Sequence, residues 1–352
     1  MTGSTVRATA PLRISFVGGG TDFPHYFERH GGAVLSSTID HVVRVTITER
    51  EDRQVLVRSL DLGHLVEYHL DDGPRYDGVM DLAKAAIDRI GVAGGLEMTI
   101  GSQAPAGSGL GGSSALVAAV VAALAALKGI EMNAAELVRL AYAIEREDLG
   151  IAGGWQDQYA SVFGGCNLLE FTASDVSVTP VRAGPGVLER LRRNLLLCYS
   201  GGVRRDLGLI ERQISLYHQG REDTILGMKE LHEMAYAMRD ALEAGDPDRL
   251  GTMLHEAFEA KLKMNPAIAE GTPIEAMLSA ARGAGATGGK ICGAGGGGYL
   301  LIHSAPGRQP SVRAALEALG GQLVPFAFRS QGVWAERGGV RWVPGAIDAP
   351  IS

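Results

Sequence analysis

The chain has 352 residues, of which 46% are hydrophobic and 21% charged, enough apolar material for two domains of ordinary size and no low-complexity tract that argues for disorder. A formal net charge of -7 gives no general attraction to nucleic acid or to an anionic membrane, so any anionic ligand must be held by a local cluster of donors. The start MTGSTVRATAPLRISF lacks a continuous apolar leader and the most apolar segment, around Leu116 to Leu127, is short and Ala-rich, so a cytoplasmic protein is expected; Cys166, Cys198 and Cys292 lack CxxC spacing and read as buried free thiols.

In chain order, β-branched runs at 9–17, 33–49, 53–58 and 65–70 read as strands of a mostly antiparallel opening. Residues 81–90 follow helical spacing, and 96–100 reads as a strand entering a Pro/Gly loop. The segment LVAAVVAALAAL is apolar on every face, which in a soluble protein means a helix buried between a sheet and other helices. A second helix at 134–148 carries Leu137, Leu140, Ala141 and Ile144 as a stripe and stops before Gly150, Gly153 and Gly154, where a loop is expected.

Strands at 166–171 and 176–181 precede AGPG, which sets a boundary near residue 185 and divides the chain into domains at 1–185 and 186–352. Beyond it come a strand at 195–199, long amphipathic helices through 206–263, a helix at 273–284, strands at 289–292 and 299–303 around a glycine turn, a helix at 311–319 and a strand at 322–328. That alternation implies an α+β second domain. No period of repeat length recurs, which excludes solenoids and propellers.

The strongest local signal is Pro105-Ala-Gly-Ser-Gly-Leu-Gly-Gly-Ser-Ser-Ala115, running straight into the apolar helix. Gly107, Ser108, Gly109, Leu110, Gly111 and Gly112 bring backbone amides to an anion, the helix start adds free N–H groups, and Ser113 or Ser114 adds a hydroxyl. The lysine of a Walker A loop is missing. A capping loop without a ligand has similar composition, so the company the loop keeps decides.

That company is a first motif, Ala10-Pro-Leu-Arg-Ile-Ser-Phe-Val-Gly-Gly-Gly-Thr-Asp22, and a third, Lys290-Ile-Cys-Gly-Ala-Gly-Gly-Gly-Gly298. The three together, in this order, resemble the motifs of the GHMP kinases. The resemblance spans nearly the whole chain and implies an α+β fold with an N-terminal domain, a ferredoxin-like C-terminal domain and an active site between them. It also implies ATP and Mg2+ as cofactors. PLRISFVGGGTD and GGWQDQYASVFGG resemble the D-glycero-D-manno-heptose 7-phosphate kinase branch, where galactokinases would show GEHTDY.

The resemblance assigns roles to matching positions. Asp157 corresponds to the carboxylate that meets the attacking hydroxyl, and Arg13 to the arginine that supports it. Periodicity does not separate Glu145 from Glu147; the resemblance prefers Glu145 as the magnesium ligand, with Ser113 or Ser114 completing the coordination. Asp22 matches a sugar-binding carboxylate, and Gly18, Gly19, Gly20, Thr21, Gly153, Gly154 and Gln156 are the further candidate substrate contacts. Gly293, Gly295, Gly296 and Gly297 would support the phosphate loop. A phosphorylated acceptor needs further cations, for which Arg204, Arg205, Lys261 and Lys263 are candidates, although lysines on long helices commonly sit on solvated faces. The expected reaction is phosphorylation of the anomeric hydroxyl of heptose 7-phosphate for nucleotide-sugar synthesis. An unphosphorylated sugar such as fucose or galactose, or a non-catalytic sugar- and nucleotide-binding regulator, is the alternative. The only expected partner is a small sugar or sugar phosphate, and the oligomeric state, monomer or homodimer, stays open.

Overall fold

The computed structural model describes residues 4–201 and 208–345. The first strands, β1 (Thr5–Val17) and β2 (Gly32–Glu49), pair antiparallel and are linked through α1 (Pro24–His30). Alternation along β1 sends Leu12, Ile14 and Phe16 into the core, while Arg13, Ser15 and Val17 face a cavity. Next come β3 (Gln54–Ser59), β4 (Leu65–His69), α2 (Asp81–Ile90) and β5 (Leu96–Ser102). α3 (Gly112–Lys128) follows the glycine loop and packs across β1 and β2, with every residue from Val117 to Leu127 buried. Its lack of a polar face is explained by that position.

The helix expected over 134–148 is regular only as α4 (Ala134–Tyr142), which begins with a capping box between Asn133 and Glu136. It then widens into a π-helix, Ala143–Asp148, that carries Glu145. Such insertions re-aim side chains and recur at functional sites. The loop expected after Gly150 is shorter than the sequence suggested, because Gln156–Phe163 forms α5. β6 (Cys166–Phe171) and β7 (Val176–Pro180) complete this part of the chain.

After α6 (Val187–Asn194) come β8 (Leu195–Tyr199), α7 (Leu209–His218), α8 (Glu222–Glu243), α9 (Pro247–Met264), α10 (Ile274–Gly283), β9 (Ala286–Ile291), β10 (Tyr299–Ser304), α11 (Gln309–Glu317) and β11 (Gln322–Val324). These strands form an antiparallel sheet in the order β11-β8-β10-β9, the strand order of a ferredoxin-like fold. The last of them ends at Val324 rather than running on to 328, since Phe328 instead bridges Ile39 of β2.

The final strands, β12 (Trp334–Arg337) and β13 (Val340–Trp342), were not read from the sequence. They return to the first sheet, where β12 pairs with β1, so sheet membership does not follow a single cut near 185. This covers what would otherwise be an open edge of β1. The first sheet has nine strands among the described residues, in the order β13-β12-β1-β2-β5-β3-β4 with β6 on β2 and β7 on β6. All three cysteines are free; Cys198 and Cys292 are buried, whereas Cys166, expected to be buried, is partly exposed at the start of β6. No helix among the described residues is long and apolar enough to cross a membrane.

Candidate active site

Between the two sheets lies a cavity of about 590 Å³, bordered by the end of β1, the glycine loop, the segment leading into α5, helices α7 and α9, and Lys290 of β9. That volume suits a small ligand. The two distant glycine motifs meet at its rim. Gly109 and Gly293 both have positive φ, and a Cβ on Gly109 would lie 2.6 Å from the Cys292 carbonyl oxygen, one on Gly293 2.5 Å from Gly109 Cα. Only glycine permits this approach. The Tyr299 amide donates to Ser108 O at 3.1 Å and a Cβ on Gly298 would lie 2.3 Å from that oxygen, so the third motif backs the loop at Gly293 and Gly298, whereas Gly295 and Gly296 turn to Ile268, whose carbonyl accepts from the Gly296 amide at 2.8 Å.

Arg13 ties this loop to α5. Its Nη1 donates to Gly109 O at 2.6 Å, its backbone amide to Leu110 O at 3.0 Å, and its Nε and Nη2 reach Asp157 Oδ1 at 2.7 and 2.6 Å. Arg13 is 3% exposed and Asp157 22%, with Asp157 in the first turn of α5 and open to the cavity. A charge-assisted contact of this kind fixes the carboxylate's direction.

At the start of α3, Ser113 Oγ donates to Glu145 Oε1 at 2.8 Å and Ser114 Oγ to Oε2 at 2.6 Å, while Gln158 of α5 also donates to Oε2. Glu145 is wholly buried and Arg146 Nη2 lies 4.0 Å from it. Of the two serines only Ser113 borders the cavity; Ser114 is sealed behind it. Glu147, the competing carboxylate, is exposed.

Asp22 is 1% exposed and accepts from the backbone amides of Gly20 at 2.9 Å and Gln156 at 3.1 Å, and from Gln156 Nε2 at 3.3 Å. Burial pushes its carboxyl above the usual carboxylate range, against the pull of those amides. It therefore anchors the N-terminus of α5 as well as bordering the cavity. Gly18, Gly19, Gly20, Gly153, Gly154 and Gln156 line the same side. The reason for Gly18 differs from the expected ligand approach: a Cβ there would lie 1.9 Å from Ala33 O of β2. Thr21, expected among the substrate contacts, is wholly buried and spends its hydroxyl on Gly18 O and Ala33 O at 2.8 and 3.1 Å.

Lys261 borders the cavity and donates to Gly293 O, whereas Lys263 is turned outward to Glu230 at 2.7 Å. Arg204 and Arg205 lie outside the described residues. Ser15, Arg146, Gln158 and Lys290 escaped the sequence reading. Ser15 was signalled by the strand period that puts it on the face of Arg13, and Lys290 by being the one charge in an otherwise apolar and glycine-rich strand.

The sequence pattern of the GHMP kinases N terminal domain matches residues 78–165, and that of the GHMP kinases C terminal matches 238–321. The D-glycero-alpha-D-manno-heptose 7-phosphate kinase of Campylobacter jejuni is 33% identical over 94% of this chain and 98% of its own length. The bifunctional fucokinase/GDP-fucose pyrophosphorylase of Arabidopsis thaliana is 28% identical over 83% of this chain and 29% of its own. Among solved structures, a D-glycero-D-manno-heptose 1-phosphate kinase of Bacteroides thetaiotaomicron superposes with a TM-score of 0.78 at 30% identity, over 94% of this chain and 98% of that one. With both family segments in order and that identity along nearly its full length, the chain belongs to the GHMP kinases and is a sugar kinase with an alcohol acceptor.

Proposed function

We propose that the protein transfers the γ-phosphate of ATP to the anomeric hydroxyl of D-glycero-D-manno-heptose 7-phosphate, giving the 1,7-bisphosphate used in cytoplasmic nucleotide-sugar synthesis. The observation that carries the reading is the Arg13–Asp157 pair, which links the glycine loop to a carboxylate open to the acceptor side of the cavity. The choice of sugar is supported by the full-length likeness to the Campylobacter jejuni enzyme.

Phosphoryl transfer asks for alignment and charge neutralisation rather than covalent chemistry. Asp157 acts as the base: it orients the attacking hydroxyl and takes its proton as the new O–P bond forms. Arg13 holds that carboxylate and brings a positive charge beside the transferring group. Amides of Gly107 to Gly112 and the N-terminus of α3 hold the phosphates of ATP.

GHMP kinases use ATP, generally with Mg2+. The donor set here fits that ion: the Ser113 hydroxyl on the cavity and the buried Glu145 carboxylate behind it are hard oxygen ligands, and Mg2+ takes few ligands from protein when phosphates supply the rest. Ser113 and Glu145 would hold it, with Ser114 fixing the second carboxylate oxygen; when bound, the ion neutralises phosphate charge. Asp22, Gln156 and the neighbouring glycines frame the sugar.

The test is ADP release in a coupled assay with D-glycero-D-manno-heptose 7-phosphate, L-fucose and D-galactose as separate acceptors. The heptose phosphate should exceed the others in kcat/KM by roughly 10²-fold or more, the margin that recognition of an extra charged group gives. Faster turnover of an unphosphorylated sugar overturns the acceptor, and nucleotide and sugar binding without ADP release from any of them favours the regulator.

A further inference from the structure

Two side chains in one corner of the acceptor side, Ser15 and Lys290, have no part in the roles above. Ser15 stands two residues beyond Arg13 on β1, one pleat along the same cavity face. Lys290 reaches that point from β9 in the other sheet, and its Nζ donates to Ser15 O at 2.7 Å. It is 3% exposed. The charged or titratable groups that act on it are Arg13 from β1 and Cys292 from its own segment, neither of them a carboxylate, and burial pushes its ammonium down to about 8.

Two further polar atoms in this corner are buried without a hydrogen-bond partner, Ser15 Oγ and Gln156 Oε1. Gly19 lies between them: the position of a Cβ on it is 3.7 Å from each of these two oxygens. The orientation of the Gln156 amide is set by Asp22, which accepts from Nε2 and leaves Oε1 as the unmatched atom.

A buried ammonium without a counter-charge and two orphaned polar atoms all destabilise the empty protein. Such a cost is expected where a ligand supplies the missing partners. The chemistry of those partners is constrained, because Lys290 donates, Ser15 donates or accepts, and Gln156 Oε1 only accepts. A phosphate offers chiefly acceptors and would leave Gln156 Oε1 unmatched, whereas a carbohydrate hydroxyl both donates and accepts. Gln156 immediately precedes Asp157, and Ser15 adjoins Arg13 on the strand face, so the hydroxyl concerned lies next to the attacking one.

We propose that Lys290, Ser15 and Gln156 form a hydroxyl-reading subsite that grips the sugar hydroxyl vicinal to the one phosphorylated, with Lys290 contacting the acceptor from the C-terminal sheet. This rests on the acceptor side of the cavity being where the sugar binds. It also places the acceptor's own phosphate outside this corner.

The experiment compares wild type, Lys290→Met and Ser15→Ala, all as the full chain, in initial rates with D-glycero-D-manno-heptose 7-phosphate and with its 2-deoxy analogue, alongside the Kd for ATP. Loss of a charged donor should raise the acceptor KM of Lys290→Met by roughly 10- to 100-fold, and that of Ser15→Ala by about tenfold or less. The Kd for ATP should stay within about twofold, which a general structural defect would not allow. The 2-deoxy analogue should be at least about tenfold poorer than its parent with wild type but within about threefold with Lys290→Met, because the two deletions remove one interaction. Additive losses, or an unchanged acceptor KM in Lys290→Met, overturn the proposal. If Lys290→Met does not fold, the same pair of acceptors with Ser15→Ala decides it: the penalty for the 2-deoxy analogue should be smaller than in wild type, and an undiminished penalty overturns the proposal. If wild type turns over L-fucose instead of the heptose phosphate, L-fucose and its 2-deoxy analogue replace the pair, which keeps a wrong acceptor distinct from a wrong subsite.

Discussion

On the side of the cavity that faces the glycine loop, Glu145 accepts from Ser113, Ser114 and Gln158, and Asp157 accepts from Arg13, which is itself bonded to Gly109 O. Beside them on the acceptor side, Ser15 Oγ and Gln156 Oε1 have no partner and Lys290 rests on a single carbonyl. The first region is assembled before any ligand arrives, as charge stabilisation in a transfer site requires, since donors fixed in advance need no reorganisation during the reaction. The second is incomplete until a ligand enters. The same phosphate side can therefore serve different acceptors, and discrimination falls to the unsatisfied side.

The sharpest way to break this contrast is Asp157→Asn. Turnover should fall by roughly 10²-fold or more while the Kd for ATP stays within about threefold, measured by coupled ADP release and nucleotide titration. Near-normal turnover removes the base from the scheme. Glu145→Gln comes next: turnover should fall by about tenfold or more, and the Mg2+ concentration for half-maximal rate should rise, because a neutral amide is a poorer ligand for a hard cation. An unchanged Mg2+ titration would show that the carboxylate holds only the two serines.

Lys290→Met probes the cost of the unsatisfied side. Burial lowers the proton affinity of Lys290 to about 8, so between that pH and the ordinary lysine range the unfolded chain binds more protons than the folded one. Stability from this residue therefore rises with pH through that window and is lowest below it. The ligand-free variant should be more stable than wild type at pH 7, by about 1–3 kcal/mol in denaturant unfolding, with the gain shrinking as pH rises past 8 towards 10. A variant less stable at pH 7 contradicts the unpaired-cation account. The smallest effect is expected from Lys263→Ala, since Lys263 is exposed and its partner Glu230 is only partly buried. Stability should change by less than about 1 kcal/mol and acceptor KM by less than about twofold; a larger rise in KM would bring Lys263 into the site.

Local periodicity carried much of the fold. The helix at 81–90 and the all-apolar helix after the glycine loop are visible because each buries residues in a pattern that its own sequence displays. What stayed hidden depends on distant partners. α5 is eight residues long, lacks a side-chain cap of its own, and is held at its start by Asp22, 134 positions away. β12 and β13 are short strands that exist because β1 has an edge to cover. The widening of the second helix at Ala143, which carries the buried Glu145, leaves no mark in the heptad-like stripe. In the site, the glycine loop was legible from composition, but the pairing of Arg13 with Asp157 spans 144 residues and was reached only through resemblance. Lys290 and Ser15 lie 275 residues apart, and no local pattern joins them.

The central claim is that this kinase phosphorylates the anomeric oxygen of a sugar that already carries a phosphate. Phosphorus NMR of the products formed from D-glycero-D-manno-heptose 7-phosphate and MgATP tests it most directly. The account predicts one ADP per sugar and a new phosphate resonance coupled to the anomeric proton, beside the unchanged 7-phosphate. ADP formed without a second sugar phosphate, or a new ester at any carbon other than the anomeric one, would contradict it.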